Sequence, residues 1–268
     1  MASFDTIFKG TSIYEMFFFN IKAVLIYPSL KKLEEDNKVL FERWKYISDT
    51  KYGTDFNGDD YLIKEKTLEK VYLNSAIQHS EFIRIVAITY ATLYPEEGKI
   101  KRNFMKIGDI DEFAVIDTFM NKLYQVSSDG MKSTPLYLPM LCGHNITAYD
   151  IPLLIKKFLF YRYKFELNKN KQLPLILKKA IDAKPWENNI IDVTNVWKFN
   201  GYEYSSLMLI ADYLNLKKTV DLMPHNKLSE YYWNNINEKP QETLDFMMLQ
   251  SATQTNLVIQ LMNELRTL

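Results

Sequence analysis

The chain has 268 residues, and its 33 Lys and Arg residues equal its 33 Asp and Glu residues in number. This zero net charge excludes a strongly basic protein that binds phosphate groups over its whole surface. Hydrophobic residues make up 47% and charged residues 25%, which excludes disorder over most of the length, and only 8 Gly and 9 Pro argue against a turn-rich β-sandwich.

A single cysteine, Cys142, excludes an internal disulfide, and with only three histidines the chain lacks the usual zinc-ligand spacings. The N-terminal residues have neither a basic segment before their apolar stretch nor a small-residue cleavage site, so they do not resemble a signal peptide. No apolar run approaches the ~20 residues of a membrane-spanning helix. We therefore expect a soluble cytoplasmic protein without a membrane partner.

The first half of the chain alternates strand and helix patterns. Residues 14–24 are almost continuously apolar over strand length, which predicts a strand buried on both faces. Residues 29–51 predict one amphipathic helix, and the polar residues 54–60 predict a surface loop. Residues 82–93 and 99–107 flank the sequence PEEG and predict a β-hairpin.

The second half is mostly helical in pattern. Residues 127–135 predict a loop, and residues 136–142 predict a short strand that ends before Gly143. Strands and helices mixed in this order predict an α/β fold with a mixed central sheet. Four segments have helical apolar spacing, and the third begins with a capping serine: 109–124, 151–165, 205–216 and 242–265.

Four segments carry a resemblance to a known family: LCGHNITAYDIPLL at 141–154, KPWENNIIDVTNVWKF at 184–199, YSSLMLIADYLNL at 204–216 and EYYW at 230–233. Together they resemble the predicted 3′–5′ exonucleases related to the exonuclease domain of family B DNA polymerases. The resemblance runs through most of the chain. It implies a ribonuclease H-like α/β fold of the DEDD exonuclease type, with a mixed central sheet flanked by helices, as a single domain over residues 1–268.

The family hydrolyses nucleic acid with two divalent cations, Mg²⁺ or Mn²⁺, which need several carboxylate ligands. An Asp-x-Glu pair on the first strand provides two of them, because residues i and i+2 share a strand face. By the resemblance, Asn20 and Lys22 stand at these two positions, and Asp150 keeps the acid that follows the Gly-His-Asn motif. On the last helix, Gln250 replaces the family's Tyr and Gln254 its final Asp.

These replacements predict a catalytically degenerate centre, a pseudoenzyme with no bound metal and no other cofactor. The Lys22 ammonium competes with a cation for the same pocket, and we expect it to form an ion pair with Asp150. The resemblance implies that His144, Asn145 and Gln250 face nucleic acid. The expected partner is single-stranded DNA or RNA.

Alternative interpretations of individual residues remain open at this stage. Asn145 and Asp150 could serve the fold or ligand recognition, His144 suits a turn, and Asp192 suits a structural role. Basic runs interleaved with aromatic residues, such as Lys156-Lys157, could bind a single strand or form a solvated helix face.

Two other functions are open. One is an active exonuclease that uses Mg²⁺ or Mn²⁺ with Asp150 and Asp192 as its acids. The other is a protein-interaction module whose former substrate groove is filled by residues 246–248.

Overall fold

The structure is a computed structural model that describes residues 11–53, 61–132, 138–167, 172–182, 184, 187, 189–199, 201–202 and 204–266. These residues form an α/β fold in which helices flank a five-stranded mixed sheet. The loop predicted at 54–60 lies outside them. Within the described ranges, every helix is too short or too polar to cross a lipid bilayer.

The sheet has the strand order β3-β2-β1-β4-β5. Strands β1, β4 and β5 are parallel, and β2 pairs with β3 in antiparallel orientation, which confirms the predicted mixed sheet. Cys142 lies in the middle of the parallel part, paired with Phe18 on one side and Ile191 on the other. The strands are β1 (Met16–Leu25), β2 (Ile83–Glu96), β3 (Lys99–Gly108), β4 (Met140–Gly143) and β5 (Ile190–Asp192).

A two-residue turn joins β2 to β3 and confirms the predicted hairpin. Glu97 and Gly98 have φ angles of 50° and 71°, the left-handed values that a type I′ turn requires at both positions. Gly adopts such a backbone without steric cost, which explains Gly98.

The helices connect the strands and cover the sheet. In chain order they are α1 (Leu30–Asp36), α2 (Lys38–Tyr52), α3 (Tyr61–Ser75), α4 (Glu112–Lys132), α5 (Ile151–Phe160), α6 (Arg162–Leu167), α7 (Leu175–Asp182), α8 (Val193–Trp197), α9 (Leu207–Tyr213), α10 (His225–Asn235) and α11 (Pro240–Leu265).

The helices predicted at 109–124, 205–216 and 242–265 are confirmed as α4, α9 and α11, and the other helix and loop predictions differ from the structure. The predicted helix 29–51 is two helices, because the Asn37 side chain accepts a hydrogen bond from Leu40 N and caps a new helix. The predicted helix 151–165 is likewise divided at Tyr161. The predicted loop 127–135 is helical as far as Lys132, and α3, α7, α8 and α10 were not predicted.

The chain divides into two compact units, and the first comprises Met1–Lys22, Val86–Leu222 and Asp245–Leu268. Helices α9 and α11 pack on the sheet face that bears Phe18, Cys142 and Ile191. On the other face, the Phe119 ring of α4 lies within 6.2 Å of the rings of Phe17, Phe19 and Tyr90. Both faces of the central strands are therefore buried, as the apolar sequence of β1 predicts.

The second unit comprises Ala23–Ile85 and Met223–Leu244, and it has an aromatic core around Trp44. The Trp44 indole is fully buried and makes edge contacts with the rings of Tyr72 and Phe82. The prediction of one domain over residues 1–268 stays a prediction.

Helix α10 satisfies the backbone at the end of β1 in this second unit. The Leu25 amide donates to Ser229 Oγ at 3.0 Å, and Trp233 Nε1 donates to the Leu25 carbonyl oxygen at 2.9 Å. Trp233, the last residue of the EYYW segment, therefore connects α10 to β1 through a hydrogen bond.

Candidate functional site

The candidate site lies in the first unit, on the face of β1 that turns toward α11. Side chains of a strand alternate between its two faces. Phe17 and Phe19 contact α4, whereas Phe18 packs with α11. Asn20 and Lys22 therefore share the α11 face with Phe18, as the i, i+2 spacing predicts.

Lys22 is the cation of this site. Its side chain is 2% exposed, and its Nζ donates a hydrogen bond of 2.5 Å to Gln254 Oε1 on α11. Burial lowers the pKa of Lys22 to about 8, although the nearby Asp150 carboxylate raises it. The two positions aligned with the family's second and last acids thus meet in space.

Asp150 is the carboxylate of the site. It ends the π-helical turn Ile146–Asp150 that precedes α5, and its Oδ1 accepts a hydrogen bond of 2.8 Å from Ile21 N. Burial raises the pKa of Asp150 to about 7, while the Ile21 hydrogen bond and the Lys22 charge oppose this shift. Among the described residues the carboxylate caps no helix end, so its structural role is to join this turn to β1.

The direct ion pair predicted between Lys22 and Asp150 is not formed between these two described residues. Each group affects the pKa of the other, but their hydrogen bonds go to Gln254 Oε1 and to Ile21 N. The prediction was wrong because it omitted the two competing partners. An amide oxygen solvates the ammonium, and a backbone amide solvates the carboxylate.

Asn20 and Gln250 occupy the remaining aligned positions. Ser251 Oγ donates to the Asn20 carbonyl oxygen at 3.0 Å and ties α11 to β1. The Asn20 side-chain Oδ1 is buried and lacks a hydrogen-bond partner within the described part of the chain. Gln250 is 1% exposed, and its Nε2 donates to the Asp221 carbonyl oxygen at 2.9 Å.

The Gly-His-Asn motif forms a tight connection between β4 and the turn that leads to Asp150. A Cβ at Gly143 would lie 2.3 Å from Ile146 Cγ2 and 2.9 Å from the Phe19 carbonyl oxygen, so only Gly fits. Asn145 has φ 61°, a left-handed conformation that Asn tolerates better than most residues. Both residues thus have a structural reason to be present.

His144 is buried and lies against the segment before α9. Its ring is 6.2 Å from the Tyr204 ring, and its Nε2 is 3.5 Å from the Ser205 carbonyl oxygen. Burial is the largest cause of its lowered pKa, and the Lys22 charge acts in the same direction. A contact of His144, Asn145 or Gln250 with nucleic acid stays a prediction.

Asp192 has a structural role, as its sequence context favoured. Its Oδ1 accepts hydrogen bonds from Asn145 N at 2.8 Å and Thr194 N at 3.0 Å, and its Oδ2 accepts from Thr147 N at 3.0 Å. A carboxylate that is bonded to three backbone amides holds the turn after Gly143 in place. It is poorly placed to act as a metal ligand as well.

The residues of this centre do not fit a pair of divalent cations. Such a pair needs several anionic oxygen ligands, and here an ammonium and two amides accompany the single carboxylate of Asp150. Across the described ranges, no group of three or more His, Cys, Asp or Glu side chains is arranged to hold a metal ion. In this arrangement a buried ammonium and a buried carboxyl group influence the pKa of each other while their hydrogen bonds go to other partners.

Comparison of the chain with protein-family models, curated proteins and solved structures gives no match.

A second buried polar cluster was not predicted, because Lys157 belongs to a basic run for which strand binding and a solvated helix face were the two interpretations. Lys157 Nζ lies 3.1 Å from Glu112 Oε1, and the Tyr161 hydroxyl donates to Glu112 Oε2 at 2.9 Å. Lys157 lies three residues after Leu154 and directly before Phe158, and this spacing places it on the buried face of α5. The spacing is the sequence feature from which its burial could have been predicted.

Proposed function

We propose that this protein is a ribonuclease H-like relative of the 3′–5′ exonucleases that binds single-stranded nucleic acid and does not hydrolyse it. The observation that carries the proposal is the hydrogen bond between Lys22 and Gln254. These residues are 232 positions apart, and the resemblance aligns both with metal-binding acids. Their meeting beside Asp150 is what a common ancestral centre would produce.

The sheet gives independent support. Its order β3-β2-β1-β4-β5, with β1, β4 and β5 parallel and the β2–β3 hairpin at one edge, is the arrangement expected of a ribonuclease H-like fold. Asn20 and Lys22 lie on the central strand of this sheet, and Gln254 lies on the helix that covers it. The scaffold is compatible with the family, and the side chains at its centre are not.

The loss of hydrolysis follows from electrostatics. Two divalent cations a few Å apart repel each other, and a buried ammonium adds a third positive charge. Asp150 alone cannot offset this charge, because burial already raises its pKa to about 7. The active alternative would also need Asp192, whose carboxylate is bonded to three backbone amides.

The protein-interaction alternative has less support. Met247 is fully buried in the first unit, and the Met248 side chain lies against Gly108. This packing fits a filled groove, but it does not identify a surface for a partner.

Labelled single-stranded DNA and RNA, incubated with the purified protein and Mn²⁺, test the proposal. We expect retention of the strand in a mobility-shift assay without shortening, and no saturable Mn²⁺ binding by calorimetry. Shortening from the 3′ end that is lost in the Asp150→Ala variant would overturn the proposal. Absence of any shift across a salt series would favour the protein-interaction alternative instead.

A further inference from the structure

The junction between α5 and α6 exposes large apolar side chains. Tyr161 separates the two helices, and the flanking rings of Phe160 and Tyr163 are 73% and 64% exposed. Leu159 beside them is 56% exposed. Large apolar side chains that are exposed next to one another are a feature of interaction surfaces.

Cationic side chains lie over the rings at this junction. The Arg162 guanidinium is 4.7 Å from the centre of the Tyr163 ring. Lys164 Nζ is 4.9 Å from the centre of the Phe113 ring and 5.3 Å from that of Tyr161. Cations at these distances are attracted to the ring faces, so both cations of α6 lie beside aromatic rings at this junction.

Buried contacts between side chains stabilise the junction between α5 and α6. The buried pair of Lys157 and Glu112 is joined by the Tyr161 hydroxyl, and the rings of Phe158 and Phe165 stack 4.8 Å apart. Binding therefore needs little ordering of the backbone, which limits its entropic cost.

We propose that Phe160, Arg162, Tyr163 and Lys164, together called the junction surface, bind a single strand of nucleic acid. Bases stack on the two exposed rings, and the two cations contact phosphates. This inference rests on the proposed function and names the surface that performs it.

Charge decides between a nucleic acid and an uncharged apolar partner. The chain has zero net charge, so any affinity for phosphate must come from a local surface. Helix α6 carries Arg162 and Lys164 against the single acid Glu166, and the exposed Lys156 adds a further positive charge in the middle of α5. Interleaved rings and cations are the combination that single-strand binding uses.

Two double variants separate stacking from charge. We would titrate a labelled oligothymidylate of about 12 nucleotides, a length within the usual range for one binding domain. The Phe160→Ala/Tyr163→Ala variant should lose about tenfold or more in affinity at every salt concentration. The Arg162→Gln/Lys164→Gln variant should instead reduce the slope of log K against log salt by about 1.4, because two phosphate contacts are lost.

A matched control comes from α2, where Tyr46 is 69% exposed. Tyr46→Ala should bind the oligonucleotide as the wild type does. Thermal unfolding of all variants checks that the fold is kept, and the charge variant tests the surface even if the aromatic variant is unstable.

The outcomes distinguish this inference from the function on which it rests. Wild-type binding that both double variants retain unchanged would refute the junction surface and leave the proposed function intact. A wild type that binds neither this oligonucleotide nor an RNA strand of the same length at low salt would refute both. Binding to vesicles of anionic lipid, without binding to the oligonucleotide, would show that the surface serves a membrane and overturn the inference.

Discussion

Lys22 Nζ and Gln254 Oε1 form a hydrogen bond of 2.5 Å between the central strand and the long last helix. This bond solvates an ammonium that is almost completely removed from water. The nearby Asp150 carboxylate supplies the compensating charge. Burial nevertheless lowers the pKa of Lys22 and raises the pKa of Asp150, and both shifts favour the neutral form of the group. The centre therefore has a measurable pH signature in the stability of the fold.

The first prediction concerns the carboxyl group of Asp150. Its pKa in the folded state is about 7, raised above the unfolded value near 3.9, so the folded state binds the extra proton between these pH values. Stability from this group is fully present below about pH 4 and is lost as the pH rises through 7. The Asp150→Asn variant lacks this dependence.

We therefore expect the free energy of unfolding of Asp150→Asn, relative to the wild type, to increase by on the order of 3 kcal/mol between pH 4 and pH 8. Urea denaturation at several pH values measures it. His144 titrates in both proteins, so its contribution cancels. Parallel profiles for the two proteins would show that Asp150 is not shifted by burial.

The second prediction concerns Lys22 and is best made in the Asp150→Asn background, where the carboxyl group no longer titrates. In the wild type the pKa of Lys22 in the folded state is about 8, below the usual value of 10.5, although the Asp150 charge raises it. Removal of that charge lowers the pKa further, so the unfolded chain binds more protons over a window that ends near pH 10.5. Stability therefore rises with pH across this window.

Adding Lys22→Met to Asp150→Asn should abolish this rise, which amounts to about 3 kcal/mol or more because the Asp150 charge no longer raises the pKa of Lys22. Unfolding of the two proteins at pH 7 and at pH 10.5 provides the comparison. A difference between them that is the same at both pH values would mean that Lys22 is as well solvated in the folded protein as in the unfolded chain.

The third prediction restores negative charge to the centre. The triple variant Asn20→Asp, Lys22→Glu and Gln254→Asp places three new carboxylates beside Asp150. Without metal, their mutual repulsion should destabilise the fold. With Mn²⁺ at about 100 times its dissociation constant, binding should raise the melting temperature by about 5 °C or more.

Two controls make the third prediction specific. The wild type should show no Mn²⁺-dependent shift, since its ammonium occupies the position. The triple variant with Asp150→Asn added should respond less than the triple variant alone. Equal shifts in all three proteins would locate the Mn²⁺ site elsewhere and remove the support for the aligned positions.

Local patterns in the sequence predicted the elements more accurately than they predicted the side-chain contacts. The apolar residues of β1 predict a buried strand because both faces of a central strand are covered. The break at Asn37 was not predicted, because apolar residues recur on both sides of it. One of these residues, Val39, is 75% exposed and so does not belong to the buried face. An amide side chain that caps a helix overrides a periodicity that continues beyond it.

The proximity of three aligned residues follows the resemblance, whereas their hydrogen bonds do not. The resemblance aligned Lys22, Asp150 and Gln254, which the structure brings together. Opposite charges in a sequence suggest an ion pair, but the backbone amide of Ile21 and the amide of Gln254 are closer partners. Hydrogen bonds between residues more than a hundred positions apart depend on the packing of α11 against β1, which a sequence pattern does not specify.

The last prediction tests how tightly the connection after β4 is built. Gly143→Ala would place a methyl group 2.3 Å from Ile146 Cγ2 and 2.9 Å from the Phe19 carbonyl oxygen. Because the second contact is with backbone, rotation of a side chain cannot relieve it. We expect a loss of about 2–3 kcal/mol in the free energy of unfolding, as for overpacked cores.

Gly53→Ala is the matched control, since Gly53 has φ 66° and a Cβ there would meet open space among the described residues. It should cost about 1 kcal/mol, from backbone strain alone. Adding Ile146→Ala to Gly143→Ala removes the closer contact but not the one with Phe19. We therefore expect a coupling energy between the two substitutions in a double-mutant cycle, with stability still below that of Ile146→Ala alone. Equal effects of Gly143→Ala and Gly53→Ala would show that β1 and the turn after β4 can separate at little cost.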